Sequence, residues 1–427
     1  MVQENLQEKV LKKIKPTLEE TRAKNALASF FIKEIQKEGY EAMLVGSLSR
    51  GTSLADEGDA DIFVFFPPTT PREDLEKKGV ELGKKILKAY GPSTHYAEHP
   101  YVKAEVEGMN VEIVPCYKIK DKLISAVDRS PLHNEYVKKK MTEKQKDEVL
   151  LLKKFLKANG LYGADQKTKG FSGYLCELLI INYGTFEALL KDAAEKWNKK
   201  IFIDIEKIGA IDHFKDALIV IDPVDKDRNV ASAVSRETLS LFIMKARDYI
   251  ARPSEEFFFP KEKRLNIKEM TKGRRMVIVS FGCPNAVPEV LWSQLEKLAK
   301  DIKEALYASE FETYKYEYWT DEKTRCAIAF ELNTNELGKY KRHKGPEVWD
   351  AEHCKAFIEK NPMWWVQRSV LYAWKERKFK KAHEVIEDFL DNSELVPSHF
   401  KSVVRKRKIR FAEKAHKEPE LMSRFFS

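Results

Sequence analysis

Three carboxylates in the first part of the chain have types and spacing that suit metal-dependent chemistry. Asp59 and Asp61 are two residues apart on an extended segment, so both side chains emerge on the same face. Glu112 lies between Val111 and Ile113 in a later apolar stretch. Magnesium prefers oxygen ligands, and two such ions about 3.5–4 Å apart can clamp the attacking and leaving oxygens of a nucleotidyl transfer. We therefore expect these three residues to be the catalytic and metal-binding set.

A Gly-Ser turn precedes the carboxylates. Gly46 and Ser47 follow a short apolar stretch and turn towards Arg50. Glycine lets the backbone approach a phosphate, the Ser47 hydroxyl and nearby amides can bind a triphosphate, and Arg50 can offset its charge. Each piece alone is ordinary, because paired aspartates usually lie in solvated turns. Their combination is much more specific, and it favours nucleotidyl transfer.

The elements that must position these residues form a small mixed sheet with flanking helices. Apolar periodicity and turn residues predict two helices and four strands in the first 140 residues. The predicted helices cover 18–37 and 72–90, and the predicted strands cover 41–45, 62–66, 102–107 and 111–114. The last two strands flank Gly108-Met109-Asn110, which is typical of a hairpin.

The rest of the chain predicts a helical middle and a mixed C-terminal part. Helices are expected over 144–159 and 173–181, and a loop over 222–225, in a mainly helical region. A β-α-β-β order typical of half a ferredoxin-like or RNA-recognition-type unit follows, and helices rich in Lys and Arg are expected to close the chain. We expect an α+β fold with three parts. These are a catalytic head (1–140), a helical neck for nucleotide selection (141–255) and an RNA-binding body and tail (256–427).

Composition excludes several classes of protein. A chain of 427 residues is too long for one ordinary core. Its formal charge of +9 permits an RNA partner but equally suits a Lys-rich solvated surface. Five cysteines stand apart without a C-x-x-C pair, which argues against zinc fingers and disulfides. No apolar run approaches the roughly 20 residues of a membrane span, so we expect a cytoplasmic protein without a membrane partner.

Longer motifs point to a known family. The sequence resembles the archaeal-type (class I) CCA-adding tRNA nucleotidyltransferases of the DNA polymerase beta superfamily. The matching strings are VGSLSRGT, YAEHPYV, VPCYKIK, SAVDRSPLH, LLKKFLKANGLYGA, GFSGYLCELLI and DPVDKDRNVA. They cover roughly the first 235 residues, and GPEVWDAEHCKAFI and MWWVQRS are looser echoes further on.

The resemblance implies roles for individual residues. It supports the three metal-binding carboxylates, and it places an arginine that helps to select C or A at Arg228. Ser130 stands where the family usually has Thr. The implied nucleotide-binding set is Gly46, Ser47, Arg50, His133, Lys153, Tyr162 and Arg228. Each has an ordinary alternative, such as a surface lysine for Lys153 or a loop salt bridge for Arg228.

One departure from the family concerns the carboxylates. The usual order is Glu, Asp and Asp, whereas this chain has Asp59, Asp61 and Glu112. Our hypothesis is a compensating exchange, in which the shorter first carboxylate is balanced by a longer third one. The alternative is a weakened or altered site, because a misplacement of about 1 Å can cost on the order of 100-fold in rate.

The same resemblance implies an RNA partner. It places Tyr96 and His99 on the RNA-end side of the cleft, and it implies that the C-terminal region grips the acceptor stem and elbow of tRNA. We expect Arg405, Lys406 and Arg407 to contact RNA phosphates, although such basic runs are usually solvated helix faces. Aromatic residues in 313–319 and 364–365 can stack on bases but are more often core.

The predicted reaction is template-independent addition of C, C and A to the 3′ end of tRNA from CTP and ATP. It requires two Mg²⁺ ions and no organic cofactor. A poly(A)-type polymerase or oligoadenylate synthetase shares the Gly-Ser and Asp-x-Asp core, and a non-catalytic RNA-binding relative is a further alternative. Some relatives are dimers, and no segment decides whether this chain forms a homodimer.

Overall fold

The computed structural model describes residues 5–426 apart from 58, 97, 120–122, 209–213, 262–264 and 393. Two compact units, Met1–Lys261 and Glu262–Ser427, each enclose a hydrophobic core. The fold is α+β, as predicted, while the three-part division at 140 and 255 stays a prediction. Within the described ranges, no helix has the length and apolar content to cross a membrane.

The first part of unit 1 is a five-stranded sheet with helices. The helices are α1 (Leu6–Ile14), α2 (Leu18–Lys37), α3 (Gly46–Arg50), α4 (Arg72–Ile86) and α5 (Arg129–Lys140). The strands are β1 (Glu41–Val45), β2 (Asp59–Phe66), β3 (Ser93–Tyr96), β4 (Pro100–Val106) and β5 (Met109–Tyr117). Their order is β1-β2-β5-β4-β3, in which β2 and β5 are parallel and the other pairs antiparallel.

The sequence explains why this sheet has one apolar and one polar face at the end that carries Asp59 and Asp61. Thr17 and Glu20 form a capping box that starts α2, which then buries Ala28, Phe31 and Ile35. Alternate β2 residues, among them Ile62, join the same core. Because side chains of a strand alternate between faces, Asp59 and Asp61 must lie on the opposite face.

The second part of unit 1 contains helices and a small sheet. The helices are α6 (Glu143–Ala158), α7 (Gly173–Tyr183), α8 (Phe186–Glu195) and α9 (Arg236–Ala251). The strands, in the order β6-β7-β8, are β6 (Ile201–Ile203), β7 (Leu218–Asp222) and β8 (Asp225–Asn229). The prediction of a mainly helical region with a loop at 222–225 was incomplete, because Asp222 ends β7 and pairs with Asp225, which begins β8. All five β7 residues are buried, so this strand lacks the alternation that identifies one.

Unit 2 contains two sheets. Its helices are α10 (Ile267–Thr271), α11 (Pro288–Ala308), α12 (Ala351–Lys360), α13 (Ala382–Asp391) and α14 (Pro419–Phe426). Its strands are β9 (Met276–Gly282), β10 (Thr313–Thr320), β11 (Arg325–Leu332), β12 (Tyr340–Glu347), β13 (Trp364–Gln367), β14 (Val370–Glu376) and β15 (Lys408–Phe411). The strand orders are β10-β11-β9-β15 and β12-β14-β13.

The predicted β-α-β-β order is confirmed by β9, α11, β10 and β11. Helices α12, α13 and α14 lie in the closing part of the chain, as predicted, but β12 to β14 form a separate sheet and β15 pairs with β9, which the sequence pattern did not predict. The basic residues Lys408 and Arg410 obscured that strand. Its partner lies far earlier in the chain, and a local pattern does not reveal such a pairing.

Candidate active site

The three carboxylates lie side by side at one end of the five-stranded sheet. In the parallel pairing of β2 with β5, Asp61 is opposite Glu112 and Asp59 is opposite Asn110. Residues paired in this way share a face of the sheet, so the three acids form one cluster. The structure thus brings together the acids that the sequence pattern singled out.

Gly46 is required by the position of Asp61. It follows β1, whose last residue Val45 pairs with Asp61, and it has a φ of +77°. A Cβ at Gly46 would lie 2.0 Å from Oδ2 of Asp61, far closer than atoms can approach. The glycine therefore makes room for a carboxylate as well as for the turn into α3.

The neighbouring acids change the pKa of Asp61, the central residue of the cluster. Burial, followed by repulsion from Glu112 and Asp59, raises the pKa of Asp61 to about 7. The two flanking acids have local partners: Lys103 Nζ donates to Glu112 Oε1 at 3.0 Å, and Asn110 Nδ2 donates to Asp59 Oδ1 at 3.0 Å. Burial acts to lower the pKa of Lys103, but the hydrogen bond to Glu112 and its charge raise it overall.

The donor chemistry of this cluster fits a divalent metal. Within the described ranges, the side chains as they stand do not place three His, Cys, Asp or Glu groups close enough to bind one ion together. The reason is local, since Glu112 is turned to Lys103 and Asp59 to Asn110. All three donors are carboxylate oxygens, and a divalent cation would relieve the repulsion that raises the pKa of Asp61.

Arg50, at the end of α3, is held by a buried acid that the sequence interpretation missed. Arg50 is only 9% exposed, and its Nε donates to Oε1 of Glu177 at 2.8 Å. The hydroxyl of Thr52 donates to the same oxygen at 2.6 Å. A single acid within the apolar helix Gly173–Tyr183 was the signal that could have identified Glu177.

Lys153 contacts the segment that follows α3, and Tyr162 lies next to Lys153. Lys153 is 1% exposed, and its Nζ donates to the carbonyl oxygen of Thr52 at 2.8 Å, so it is not a surface lysine. The Nζ atoms of Lys153 and Lys157 lie 6.0 Å and 5.5 Å from the centroid of the Tyr162 ring. Glu57 compensates part of this positive charge, since its Oε2 lies 3.9 Å from Lys153 Nζ and its Oε1 lies 3.0 Å from Lys157 Nζ.

His133 and Arg228 meet at a second buried acid, Asp222. Oδ2 of Asp222 accepts from His133 Nε2 at 2.8 Å and from Arg228 Nη1 at 2.6 Å. The hydroxyl of Tyr174 donates to Oδ1 at 3.2 Å, and its ring stacks on that of His133 with centroids 3.9 Å apart. Asn134, which follows His133 on α5, accepts from Arg50 at 3.5 Å and so links the two clusters. Arg228 forms a salt bridge, as the alternative expected, but with a fully buried partner.

The pKa values of His133 and Asp222 are both lowered, but for different reasons. Burial lowers the pKa of His133, against the opposing hydrogen bond with Asp222. Burial acts to raise the pKa of Asp222, but hydrogen bonds from His133 and Arg228 lower it overall. At neutral pH these effects favour an ionised Asp222 beside a neutral His133. Ser47 and Ser130 are half-buried in α3 and α5 respectively.

The predicted RNA contacts have very different exposures. Tyr96 in β3 is 81% exposed, whereas His99 is 1% exposed with its Nδ1 3.3 Å from Oε1 of Glu76. Contact between His99 and RNA would require that ring to leave its position, and the assignment stays a prediction.

The basic run of the second unit begins in a single 3-10 turn (Val404–Lys406) and continues into β15. Arg405 and Lys406 are exposed in this turn. Arg407 instead donates to Asp391 Oδ1 at 2.8 Å. The run therefore presents two open cations and one that is already paired, and their contact with RNA stays a prediction.

Comparisons with known proteins identify three matching family models. Residues 29–140 match the nucleotidyltransferase domain, and residues 147–259 match the second domain of tRNA nucleotidyltransferase. Residues 272–410 match the C-terminal domain of the CCA-adding enzyme.

Curated relatives match along most of the chain. A CCA-adding enzyme of Methanothermobacter thermautotrophicus is 36% identical over 89% of this chain and 87% of its own length. The CCA-adding enzyme of Methanocaldococcus jannaschii is 37% identical over 91% of this chain and 91% of its own length. That of Methanococcus maripaludis is 39% identical over 84% of this chain and 84% of its own length. Among solved structures, a cytoplasmic RNA terminal U-transferase has a TM-score of 0.47 at 15% identity, covering 61% of this chain and 98% of its own; that similarity carries no functional argument.

Proposed function

The chain belongs to the CCA-adding enzymes, which are tRNA nucleotidyltransferases, and we propose that Asp59, Asp61 and Glu112 form its catalytic centre. Its substrates are tRNA and nucleoside triphosphates, and enzymes of this type use a divalent metal. The observation that carries the proposal is the pairing of Asp61 with Glu112 beside Asp59, with the pKa of Asp61 raised to about 7.

The three acids are suited to hold two Mg²⁺ ions. Bound there, the metal would lower the pKa of the attacking 3′-hydroxyl of tRNA and neutralise the leaving pyrophosphate of CTP or ATP. Asp59 and Glu112 each use one oxygen in a hydrogen bond, with Asn110 and Lys103 respectively, and each keeps a second carboxylate oxygen for a metal. Lys103 lies next to the cluster, where its charge can offset that of the triphosphate.

The turn from Gly46 to Thr52 is suited to bind the triphosphate. Ser47 supplies a hydroxyl and neighbouring amides, and the positive φ of Gly46 turns the backbone towards the acids. Lys153 holds this turn through the carbonyl of Thr52, and Tyr162 lies beside Lys153. Arg50 contributes as a partly neutralised cation, because Glu177 holds its Nε.

His133 and Arg228 are suited to contact the sugar or base of the same nucleotide. His133 lies on α5 and Arg228 on β8, and both side chains donate to the same oxygen of Asp222. Half-buried Ser130 lies on the same helix as His133. This arrangement supports one nucleotide site that serves both CTP and ATP.

On the RNA side, exposed Tyr96 is suited to stack on the 3′ end of tRNA. Arg405 and Lys406 are suited to contact backbone phosphates of its acceptor stem or elbow. Replacing both with alanine should weaken tRNA binding and flatten its salt dependence by roughly 0.7–0.9 in slope for each lost contact. Replacing exposed Lys297 and Lys300 on α11 with alanine is the charge-matched control, and an equal change there would contradict a localised contact.

The decisive experiment measures incorporation of labelled CTP and ATP into tRNA that ends at the discriminator base. Wild type should add C, C and A in order with Mg²⁺. Asp61→Ala should lower the rate at least on the order of 1000-fold, because it removes the central metal ligand. Asp74→Asn is the control, since Asp74 is an exposed acid paired with Lys78 on α4. Retained addition by Asp61→Ala would contradict the proposed centre.

A further inference from the structure

We propose that Asp222 is a positioning residue for substrate selection: it orients His133 so that Nδ1 of the ring accepts a hydrogen bond from the incoming nucleotide, and it holds Arg228 beside that ring. The inference rests on the proposed function, which places His133 and Arg228 at the bound nucleotide.

The hydrogen-bonding capacity of Asp222 is fully used. Its side chain is completely buried at the end of β7. Oδ2 accepts from His133 at 2.8 Å and from Arg228 at 2.6 Å. Oδ1 accepts from the Tyr174 hydroxyl at 3.2 Å and from the backbone amide of Val224 at 3.1 Å. Four donors on two oxygens leave this carboxylate with no capacity to bind substrate directly, so its effect must pass through its partners.

The contact with Asp222 sets the tautomer of His133. An ionised carboxylate only accepts, so Nε2 of His133 must carry the hydrogen. In the neutral ring, Nδ1 then keeps its lone pair. Nδ1 has no hydrogen-bond partner anywhere in the described part of the chain. A substrate group that approaches it must therefore be a donor.

This requirement separates the parts of a nucleotide. The oxygens of an ionised triphosphate only accept, so they are poor partners for Nδ1. The remaining donors are the ribose hydroxyls and the exocyclic amino groups of cytosine and adenine. Uracil and guanine carry an oxygen in place of that amino group. A His133 that accepts from the 2′-hydroxyl discriminates against 2′-deoxynucleotides, and one that accepts from the amino group discriminates against UTP and GTP.

Two further contacts keep the His133 ring in place. Tyr174 stacks on it at 23° between ring planes. Nε of Arg129 donates to Oδ2 of Asp225 at 2.8 Å, which fastens the β7–β8 hairpin to α5. His133 is thus fixed from α7 on one side and from the hairpin on the other. A group held in this way can reject a substrate that lacks the matching donor.

Asp222→Asn tests the inference, because it is nearly isosteric and changes which atoms donate. The asparagine amide can donate to Nε2 of His133, and Nδ1 would then carry the hydrogen and become a donor. The full chain would be assayed with CTP, UTP and 2′-deoxy-CTP on tRNA that ends at the discriminator base. The kcat/KM preference for CTP over UTP, or over 2′-deoxy-CTP, should fall on the order of 10- to 100-fold. A loss for UTP identifies the base as the donor, and a loss for 2′-deoxy-CTP identifies the ribose.

The ring nitrogens provide a second readout that a merely structural role would not move. Nitrogen chemical shifts of His133, assigned by their loss in His133→Gln, should show a protonated Nε2 in wild type and a protonated Nδ1 in Asp222→Asn. Asp227→Asn is the matched control, since it removes the same charge from the same hairpin at an exposed side chain. It should keep both the nucleotide preference and the wild-type nitrogen shifts.

The outcomes are separable. An equal fall in kcat/KM for all three nucleotides in Asp222→Asn, with unchanged nitrogen shifts, would overturn the inference. If that variant does not fold, the wild-type shifts decide, because a hydrogen on Nδ1 in wild type overturns it as well. Failure of the proposed catalytic centre is distinct, since it would leave addition intact in Asp61→Ala and would not alter the His133 tautomer.

Discussion

The end of β2 and the β7–β8 hairpin each hold an aspartate away from solvent, with opposite results. Asp61 is half-buried and Asp222 is fully buried. Asp61 lies beside two further acids, and its pKa is raised to about 7. Asp222 lies beside His133 and Arg228, and its pKa is lowered. Burial acts on both in the same direction, so the neighbours decide the outcome. An acid that lacks compensating charge is suited to attract a cation, whereas a saturated one can only orient the groups that it holds.

Glu177 lies between these two cases. One of its oxygens accepts from Arg50 and Thr52, while Oε2 has no hydrogen-bond partner among the described residues. This acid is fully buried on α7 and supports the Gly46–Thr52 turn from the helical side. Glu177 is therefore buried with a single cationic partner, Arg50, and with one of its two oxygens lacking a hydrogen bond.

The largest predicted effect concerns Gly46→Ala, which tests whether Asp61 must occupy its present position. The added Cβ would meet Oδ2 of Asp61 at 2.0 Å, so the carboxylate must move. We expect a loss of activity on the order of 1000-fold in the CTP incorporation assay.

Gly91→Ala is the control for Gly46→Ala. Gly91 also has a positive φ, +61°, but no atom lies within 4 Å of its added Cβ. Both variants should lose stability of about 1–2 kcal/mol through the left-handed backbone, and only Gly46→Ala should lose activity. Equal activities would show that the position of Asp61 is not critical.

The next effect concerns the stability of the first unit. Glu177→Gln leaves the buried Arg50 without its counter-charge, so the free energy of unfolding should fall by about 3 kcal/mol. Urea unfolding of the full chain measures it. Asp74→Asn breaks an exposed pair with Lys78 and should change stability by less than about 1 kcal/mol. Similar changes in the two variants would mean that Glu177 does not compensate Arg50.

The smallest predicted effect tests whether the side-chain lengths of Asp59 and Glu112 compensate each other. Asp59→Glu and Glu112→Asp each restore one residue of the family's usual order. If the two lengths compensate, each single change should lower the CTP incorporation rate on the order of 10- to 100-fold, and the double change should recover it. Losses that add in the double variant would refute the compensating exchange and leave two independent positions.

Local sequence pattern determined much of the first sheet. Helix α2 and strand β1 have the predicted bounds, because a capping box and apolar periodicity mark them within a few residues. Strand β2 begins earlier than predicted and includes Asp59 and Asp61, since polar residues on its second face hid its start. The alternation of β2 by itself placed both acids on one face.

Tertiary structure alone decided which distant groups meet. Glu177 reaches Arg50, Asp222 joins His133 to Arg228, and β15 pairs with β9, across separations that no local pattern records. Short-range rules report periodicity and capping, which depend on neighbours in sequence. The partners of buried charges depend on how helices and strands pack, because each such charge must find its counterpart wherever the fold brings one close.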